Sequence, residues 1–564
     1  MAISFPPGLI LLGGGLLLPL LQGRLREAAV LVFPLLTLGA VWTVPDGTSL
    51  AVPFLGYELA LVHSTTLGRL FATVFSIMAF AGGLFALRRA PVVELAAAFA
   101  YAGSAIGVTF AGDLLTMFVF WELMAVGSTV VIWSSDQPGA YGASMRYLSI
   151  HLMGGVLLMF GVIGHIIDTG SVAFTAMQPD SLAHWMILAG FLVNAGAPPL
   201  GAWIADAYPE ASATGMVFLS AFTTKTAVFA LMVGFPGAGI LIPIGLYMSL
   251  YGIFYALLEN DMRRILAYSI VNQVGFMVTA VGIGSEMALN GAAAHAFTHI
   301  IYKALLLMSA GSVLVMTGKR KCTDLGGLFR TMPFTATAGI IGALAISSFP
   351  FTSGFVSKSM TNQSAADAAL LVPWLILTAA SAGVFLHAGI KFPWFVFFQK
   401  DSGLRPAEPP LSMRLAMGLF AFACIALGVV YQPLYRLLPY ATEYEPYTAL
   451  HLVQQFQLLL FSGLAFFLLL PLMKRTRTIS LDFDWFYRRF GTIVAREFGV
   501  RTGGAWARSE RQVEKRVTKV IEGLFRTHGP HGALARSWPT RSMLLWVAIL
   551  LGAFLSMELL RLII

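Results

Sequence analysis

Several ionisable side chains stand inside stretches that are otherwise apolar, and their spacing suits the handling of protons. Glu122 lies in Val119-Phe120-Trp121-Glu122-Leu123-Met124, and Lys225 in Thr223-Thr224-Lys225-Thr226. His295, His299 and Lys303 follow one another at four-residue intervals, which on a helix places all three on one face. His387 and Lys391 repeat the interval, with Pro393 just beyond. A carboxylate inside a bilayer carries a heavy desolvation cost unless it is paired, hydrated or protonated. Glu122 is therefore suited to holding and releasing a proton. Lys225 is suited to reversible deprotonation and can pair with Glu122. Histidine passes a proton through either ring nitrogen, so His295, His299 and Lys303 read as a stretch of proton wire. Lys391 reads as a terminal protonation site.

Each of these groups also has a plainer reading. Glu122 can be a structural glutamate bonded to a neighbouring helix, Lys225 half of a static ion pair, and the histidine–lysine helix ordinary polar packing. Two histidines four apart can hold a metal, but no acidic third ligand stands nearby. Lys358, after Phe355-Val356-Ser357, fits either an exit lining or a structural role. Arg146 and His151 share a helix and extend a polar axis, or His151 is a satisfied structural histidine. Asp206, in Trp203-Ile204-Ala205-Asp206-Ala207-Tyr208-Pro209-Glu210, fits a helix cap or a partner contact better than catalysis.

The elements that position these groups are membrane helices. Of the 564 residues, 57% are hydrophobic, and the mean hydropathy is +0.79. Apolar stretches of about 20 residues, enough to cross the hydrocarbon layer, recur from residues 8–22 to 542–563. The pattern predicts an all-α polytopic membrane protein with about fourteen to sixteen spans. The first span has no small-residue cleavage site after it and reads as retained. Arg24, Arg26, Arg88, Arg89, Arg263, Arg264, Lys319, Arg320, Lys321, Lys400 and Arg405 all fall in odd-numbered loops. Those loops should face the cytoplasm, which puts both termini in the periplasm of an inner-membrane protein. Two spans contain breaks: 333–357, at Ser347-Ser348-Phe349-Pro350 and Ser353-Gly354, and 370–398, at Gly383, Gly389 and Pro393. Backbone interrupted at membrane depth is tolerated where protein or a wet cavity satisfies it.

The formal net charge is +9, and residues 474–541 carry all of it, with 15 Lys/Arg against 6 Asp/Glu. Within that stretch Phe490, Ile493, Val494 and Phe498 recur at helical spacing, as do Val513, Val517, Val520, Ile521, Leu524 and Phe525. Basic residues fill the gaps. This predicts an amphipathic helix on the cytoplasmic face or along a complex, then a final anchor; a soluble linker domain is the alternative. A surface facing anionic lipid explains the charge more simply than a nucleic-acid partner does. Cys322 and Cys424 belong to no ligand-like cluster, so no iron–sulfur or zinc site, and no other cofactor, is expected.

Taken together, these motifs resemble the antiporter-like proton-translocating subunits shared by Mrp sodium/proton antiporters and respiratory complex I, with the Mrp D subunit as the best-fitting branch. The resemblance rests on Phe120-Trp121-Glu122-Leu123-Met124, Trp203 to Pro209, Leu219 to Leu231 around Lys225, His295 to Leu305, and Gly354-Phe355-Val356-Ser357-Lys358. It covers residues 95–400 strongly and 400–473 more weakly. It implies two inverted five-helix units with discontinuous helices around a hydrophilic axis. It also implies the family's essential glutamate at Glu122, a conserved lysine at Lys225, its histidine–histidine–lysine helix at His295, His299 and Lys303, and its last buried lysine at Lys391.

The chain then divides into N-terminal helices (1–91), a first antiporter-like unit (92–235), a second (236–400), C-terminal helices (401–473), the basic segment (474–541) and an anchor (542–564). Two departures from the family pattern stand out. Asn194 occupies a position where the family usually has lysine, and an amide cannot carry the proton. Ala205 replaces a usual proline. The 474–541 segment with its final helix is similar in plan to the lateral arm of a complex I subunit.

The resemblance implies a proton-conducting subunit of an Mrp-type monovalent cation/proton antiporter. Its partners would be other integral-membrane subunits, including a paralogous antiporter-like one, together with protons, sodium and lipid. A membrane subunit of a complex I-like or hydrogenase-like redox pump, and a transport-inactive structural subunit, are the alternatives.

Overall fold

The computed structural model describes residues 5–54, 56–471, 482–528 and 540–563. Thirteen of the described helices are long and apolar enough to cross a membrane. Three shorter apolar helices, Gly8–Leu20, Leu182–Ala195 and Pro333–Ile346, account for the remaining expected spans. Helix starts are fixed by side-chain caps. Asp113 accepts from Thr116 N–H at 2.7 Å, Ser181 from His184 N–H at 3.2 Å, and Asp261 from Arg263 N–H at 2.9 Å. Helix Ala140–Thr169 stops at Gly170 (φ 70°) and helix Glu286–Thr317 at Gly318 (φ 67°), where the left-handed backbone favours glycine.

The chain divides into two compact units, Met1–Asp484 and Trp485–Ile564. In the first, helices Met262–Ile283 and Glu286–Thr317 are among the most enclosed, and Ala449–Leu469 is peripheral. Helices Leu241–Leu258 and Met262–Ile283 lie very close because small residues line the contact. A Cβ on Gly245 would stand 2.5 Å from Gly275 O, and one on Gly252 2.6 Å from Tyr268 O.

The interruptions fall where buried lysines occur. The span around Lys225 is two pieces, Gly215–Leu219 and Thr223–Gly234. The expected 333–357 span is also two, Pro333–Ile346 and Ser353–Asp367, so the second piece continues ten residues past the expected end. Between them Ser348 (φ 57°) and Phe351 (φ 67°) adopt left-handed backbone, which is strained for side-chain-bearing residues. Helix Leu371–Val384 runs on into widened turns over Phe385–Lys391 and Trp394–Phe398.

Two details depart from the all-helical expectation. Ser49–Phe54 and Tyr57–His63 form an antiparallel hairpin between the second and third spans. It is mostly exposed and is tied to the bundle by Gly112 N–H donating to Ala60 O at 2.9 Å. Arg263, counted above as a loop charge, is enclosed at 1% exposure. It donates to Pro209 O and Ala211 O at 2.9 Å and to Ser212 O at 2.7 Å.

In the second unit a widened turn at Phe486–Phe490 leads into helix Gly491–His528, and Thr540–Ile563 forms the last helix. Ile493, Val513, Val517, Val520, Ile521 and Leu524 are exposed within it. Residues 474–481 and 529–539 of the basic segment, and the side chains of Val494, Phe498 and Phe525, lie outside the described residues.

Candidate functional site

Helix ends, whether at a break or at the close of a span, leave backbone carbonyls that have no partner along the helix. Three of the buried lysines use them. Lys225, fully buried, donates to Ser220 O at 2.7 Å, the carbonyl left where the short helix Gly215–Leu219 ends, and to Thr224 Oγ1 at 3.1 Å. Lys358 donates to Ile346 O at 2.9 Å, at the end of Pro333–Ile346, and its ammonium stands 5.0 Å from the Phe276 ring centroid. Lys391 donates to Ala256 O at 3.0 Å, Leu257 O at 2.6 Å and Glu259 O at 2.6 Å, at the end of helix Leu241–Leu258. The helix dipole adds to the attraction at each such terminus. Among the described residues no carboxylate forms an ion pair with these lysines.

The histidine–lysine helix lies between these cradles. His295 Nε2 is 3.1 Å from Gln273 Oε1 and 3.0 Å from Tyr302 OH, and Lys303 donates to Ser269 Oγ at 2.5 Å. The His295 and His299 rings are 6.1 Å apart and the His299 and Tyr302 rings 5.2 Å apart. Both ring nitrogens of His299 are enclosed without a partner among the described residues. Thr298 and Ser357, whose hydroxyls are 2.8 Å apart, join this helix to the one that bears Lys358. His387 Nδ1 bonds Gly383 O at 2.8 Å, one turn before Lys391.

The first half is arranged differently. Glu122 is half-buried and does not pair with Lys225. It sits on the outer flank of helix Leu114–Trp133, with Val119 and Val126 exposed on either side. Its carboxylate fills the space above Gly155, and its Oε1 has no partner among the described residues. His151 Nδ1 is 2.7 Å from Asn194 Oδ1, and its ring lies 4.0 Å from that of Tyr147 and 4.6 Å from that of Trp203. Arg146 forms a two-point pair with Asp206 at 2.7 and 2.8 Å. Asp206, expected to cap a helix or meet a partner, is thus a buried counter-ion inside this chain.

Sequence reasoning passed over the hydroxyls between these groups. Tyr101 OH and Thr223 Oγ1 are 2.6 Å apart, and Thr223 N–H donates to Tyr101 OH at 2.8 Å. Tyr147 OH donates to Ser128 Oγ at 2.9 Å and lies 3.3 Å from Thr223 Oγ1. The only signal available was Tyr147, one helical turn before His151. Glu94 was also passed over: it is fully buried and accepts from Thr214 Oγ1, just ahead of the broken helix that carries Lys225.

Residues 111–385, which hold Glu122, Lys225, the histidine–lysine helix and Lys358, match the family described as NADH:quinone oxidoreductase/Mrp antiporter, TM. The chain is 30% identical over 367 residues to a probable A/B-type component of a K(+)/H(+) antiporter of Rhizobium meliloti (strain 1021), covering 60% of this chain and 37% of that protein. It is 31% identical over 272 residues to the D component of a Na(+)/H(+) antiporter of Alkalihalophilus pseudofirmus, covering 45% of this chain and 55% of that one. The matches thus span only part of each relative. The solved Mrp complex from Dietzia sp. DQ12-45-1b contains a chain of the same fold, with a TM-score of 0.69, 22% identity, and 78% and 97% of the two chains covered. Over residues 111–385 this chain is therefore similar to the membrane-domain family shared by NADH:quinone oxidoreductase and the Mrp antiporters.

Proposed function

We propose that the chain is a proton-conducting subunit of a multisubunit Mrp-type monovalent cation/proton antiporter of the inner membrane, with sodium as the exported ion. The observation that carries this reading is the set of lysines held on carbonyls at helix ends. A carbonyl satisfies an ammonium by hydrogen bonding yet brings no fixed opposite charge, so the lysine is not locked into a permanent ion pair. The enclosed His295, His299 and Lys303 supply protonatable groups between the cradles. In this reading residues 92–235 and 236–400 are two conducting units, the odd-numbered loops face the cytoplasm, and both termini are periplasmic. Glu122, half-buried on the flank of its helix, is completed by a neighbouring chain of the membrane complex, for which a paralogous antiporter-like protein is the natural candidate.

The test is sodium-driven and proton-driven transport by the assembled complex in sealed vesicles. Glu122→Gln and Lys391→Ala should each lower transport at least tenfold while the complex still assembles. Parental rates in both would leave the chain a scaffold. The family description favours one further reading, a membrane subunit of a redox-driven proton pump. Genes for iron–sulfur or nickel subunits beside this one would select it, and genes for small multi-helix antiporter subunits would select antiport.

A further inference from the structure

Beyond helix Ala449–Leu469, Asp482 sits within the bundle at 5% exposure. Tyr251 OH donates to this carboxylate, 2.7 Å from each oxygen, and Tyr268 OH donates to Oδ2 at 2.6 Å. Phe483 N–H donates to Oδ1 at 2.6 Å. Tyr251 stands on helix Leu241–Leu258 and Tyr268 on helix Met262–Ile283, so one carboxylate clamps both.

The junction of those same two helices is the cage of Lys391. Glu259, in that junction, gives its carbonyl to Lys391 at 2.6 Å and its carboxylate to Arg264 Nε at 2.9 Å. Arg264 Nη2 donates to Tyr268 OH at 3.4 Å, and its guanidinium lies 5.9 Å from the Tyr268 ring centroid. Tyr255 stacks on Tyr268 at 5.2 Å and leans on Tyr251 at 4.8 Å. The contacts are continuous: Lys391, Glu259, Arg264, Tyr268, Asp482. Close glycine-lined packing between the two helices leaves little slack to absorb a change at one end of this series.

We propose that Asp482 is a positioning residue for Lys391. By clamping Tyr251 and Tyr268 it fixes the spacing of the carbonyls of Ala256, Leu257 and Glu259, and through Arg264 it sets the charge balance around the ammonium. The groups that share this field are Glu259 and Arg264 at the junction, Cys322 after helix Glu286–Thr317, His387 on the lysine's own helix, Lys303 beyond it, and Tyr251, Tyr255, Tyr268 and Asp484 around the clamp. The chain that leads to the C-terminal helices is thereby part of the lysine site. The proposal rests on the reading of Lys391 as a protonation site.

The test uses the assembled complex with full-length chains carrying Asp482→Ala, Asp482→Asn or Lys391→Ala. Two quantities are measured: backbone amide exchange over residues 256–268, and the pH profile of transport. Asp482→Ala should speed exchange in that stretch by about tenfold or more. Asp482→Asn keeps hydrogen-bonding capacity and removes the charge. It should leave exchange near the parental rate but move the transport profile along the pH axis by about half a unit or more. Parental exchange in Asp482→Ala overturns the clamp. Should that variant fail to assemble, a parental pH profile in Asp482→Asn overturns the proposal by itself. Normal transport in Lys391→Ala removes the underlying reading of the lysine, and the exchange result then still reports on the clamp alone.

Discussion

The carboxylate of Glu122 occupies the space that a side chain on Gly155 would need: a Cβ built there collides with Glu122 Oε1. Gly155→Ala therefore displaces Glu122 without changing its chemistry. Transport should fall about as far as in Glu122→Gln, since overpacking at such a contact costs about 1–3 kcal/mol. Gly39→Ala, in a helix with open space at that position, is the control and should behave as the parent. Equal transport by all three chains in vesicles would mean that the position of Glu122 is immaterial.

The hydroxyl group around Thr223 gives a second prediction. Tyr147→Phe removes one hydrogen bond to Ser128 and one contact to Thr223 while keeping the ring that packs on His151. The stability loss should be small, about 1 kcal/mol. Proton uptake should fall more than stability does, because these hydroxyls lie beside the break that holds Lys225. Unfolding in detergent and proton uptake in vesicles, measured on the same preparation, separate the two effects.

Arg263 predicts the reverse balance. It satisfies three carbonyls, those of Pro209, Ala211 and Ser212, in the connection that leads into the broken helix. Arg263→Ala removes this donor from all three: Pro209 O keeps Arg320 Nη1 and Ser212 O keeps Met216 N–H, each at 3.2 Å, while Ala211 O loses its donor, at about 1–3 kcal/mol. The expected result is loss of folded, assembled protein, read as a fall in thermal unfolding temperature and in complex yield. A parental unfolding temperature would show that the connection is held by other contacts.

Most of the scaffold was legible because the bilayer imposes a simple code. Long apolar runs such as Glu286–Thr317 cannot be much else, and each expected span has a helix within several residues of its place. The breaks at Ser347–Pro350 and beside Lys391 were marked by their serines, glycines and prolines. The hairpin was missed although Leu50, Val52 and Phe54, and Tyr57, Leu59 and Leu61, alternate along it, because its strands are short, mostly exposed and set between two long apolar spans. The ionisable groups were visible one by one, since charge in an apolar stretch is conspicuous. Their partners were not. The sequence left Glu122 open as a partner of Lys225, but Lys225 binds a backbone carbonyl, and carbonyls leave no trace in residue identity. Asp482, one of six acidic residues in the basic segment, likewise gave no sign that it is held within the bundle. The pairing of His151 with Asn194 shows the same limit: the amide found where the resemblance led us to expect a lysine is bonded to this histidine.

The lysine cradles have a genetic consequence. A counter-ion made of side chain can be lost by one base change, whereas every residue supplies the same carbonyl oxygen. No single substitution deletes Ser220 O or Ile346 O. What can change is where a helix stops, and that depends on many neighbouring residues acting together. Sequences of this kind can therefore drift widely around their lysines while the oxygen ligands stay in place, and mutational scans should find the cradles nearly silent except at the turns that end each helix.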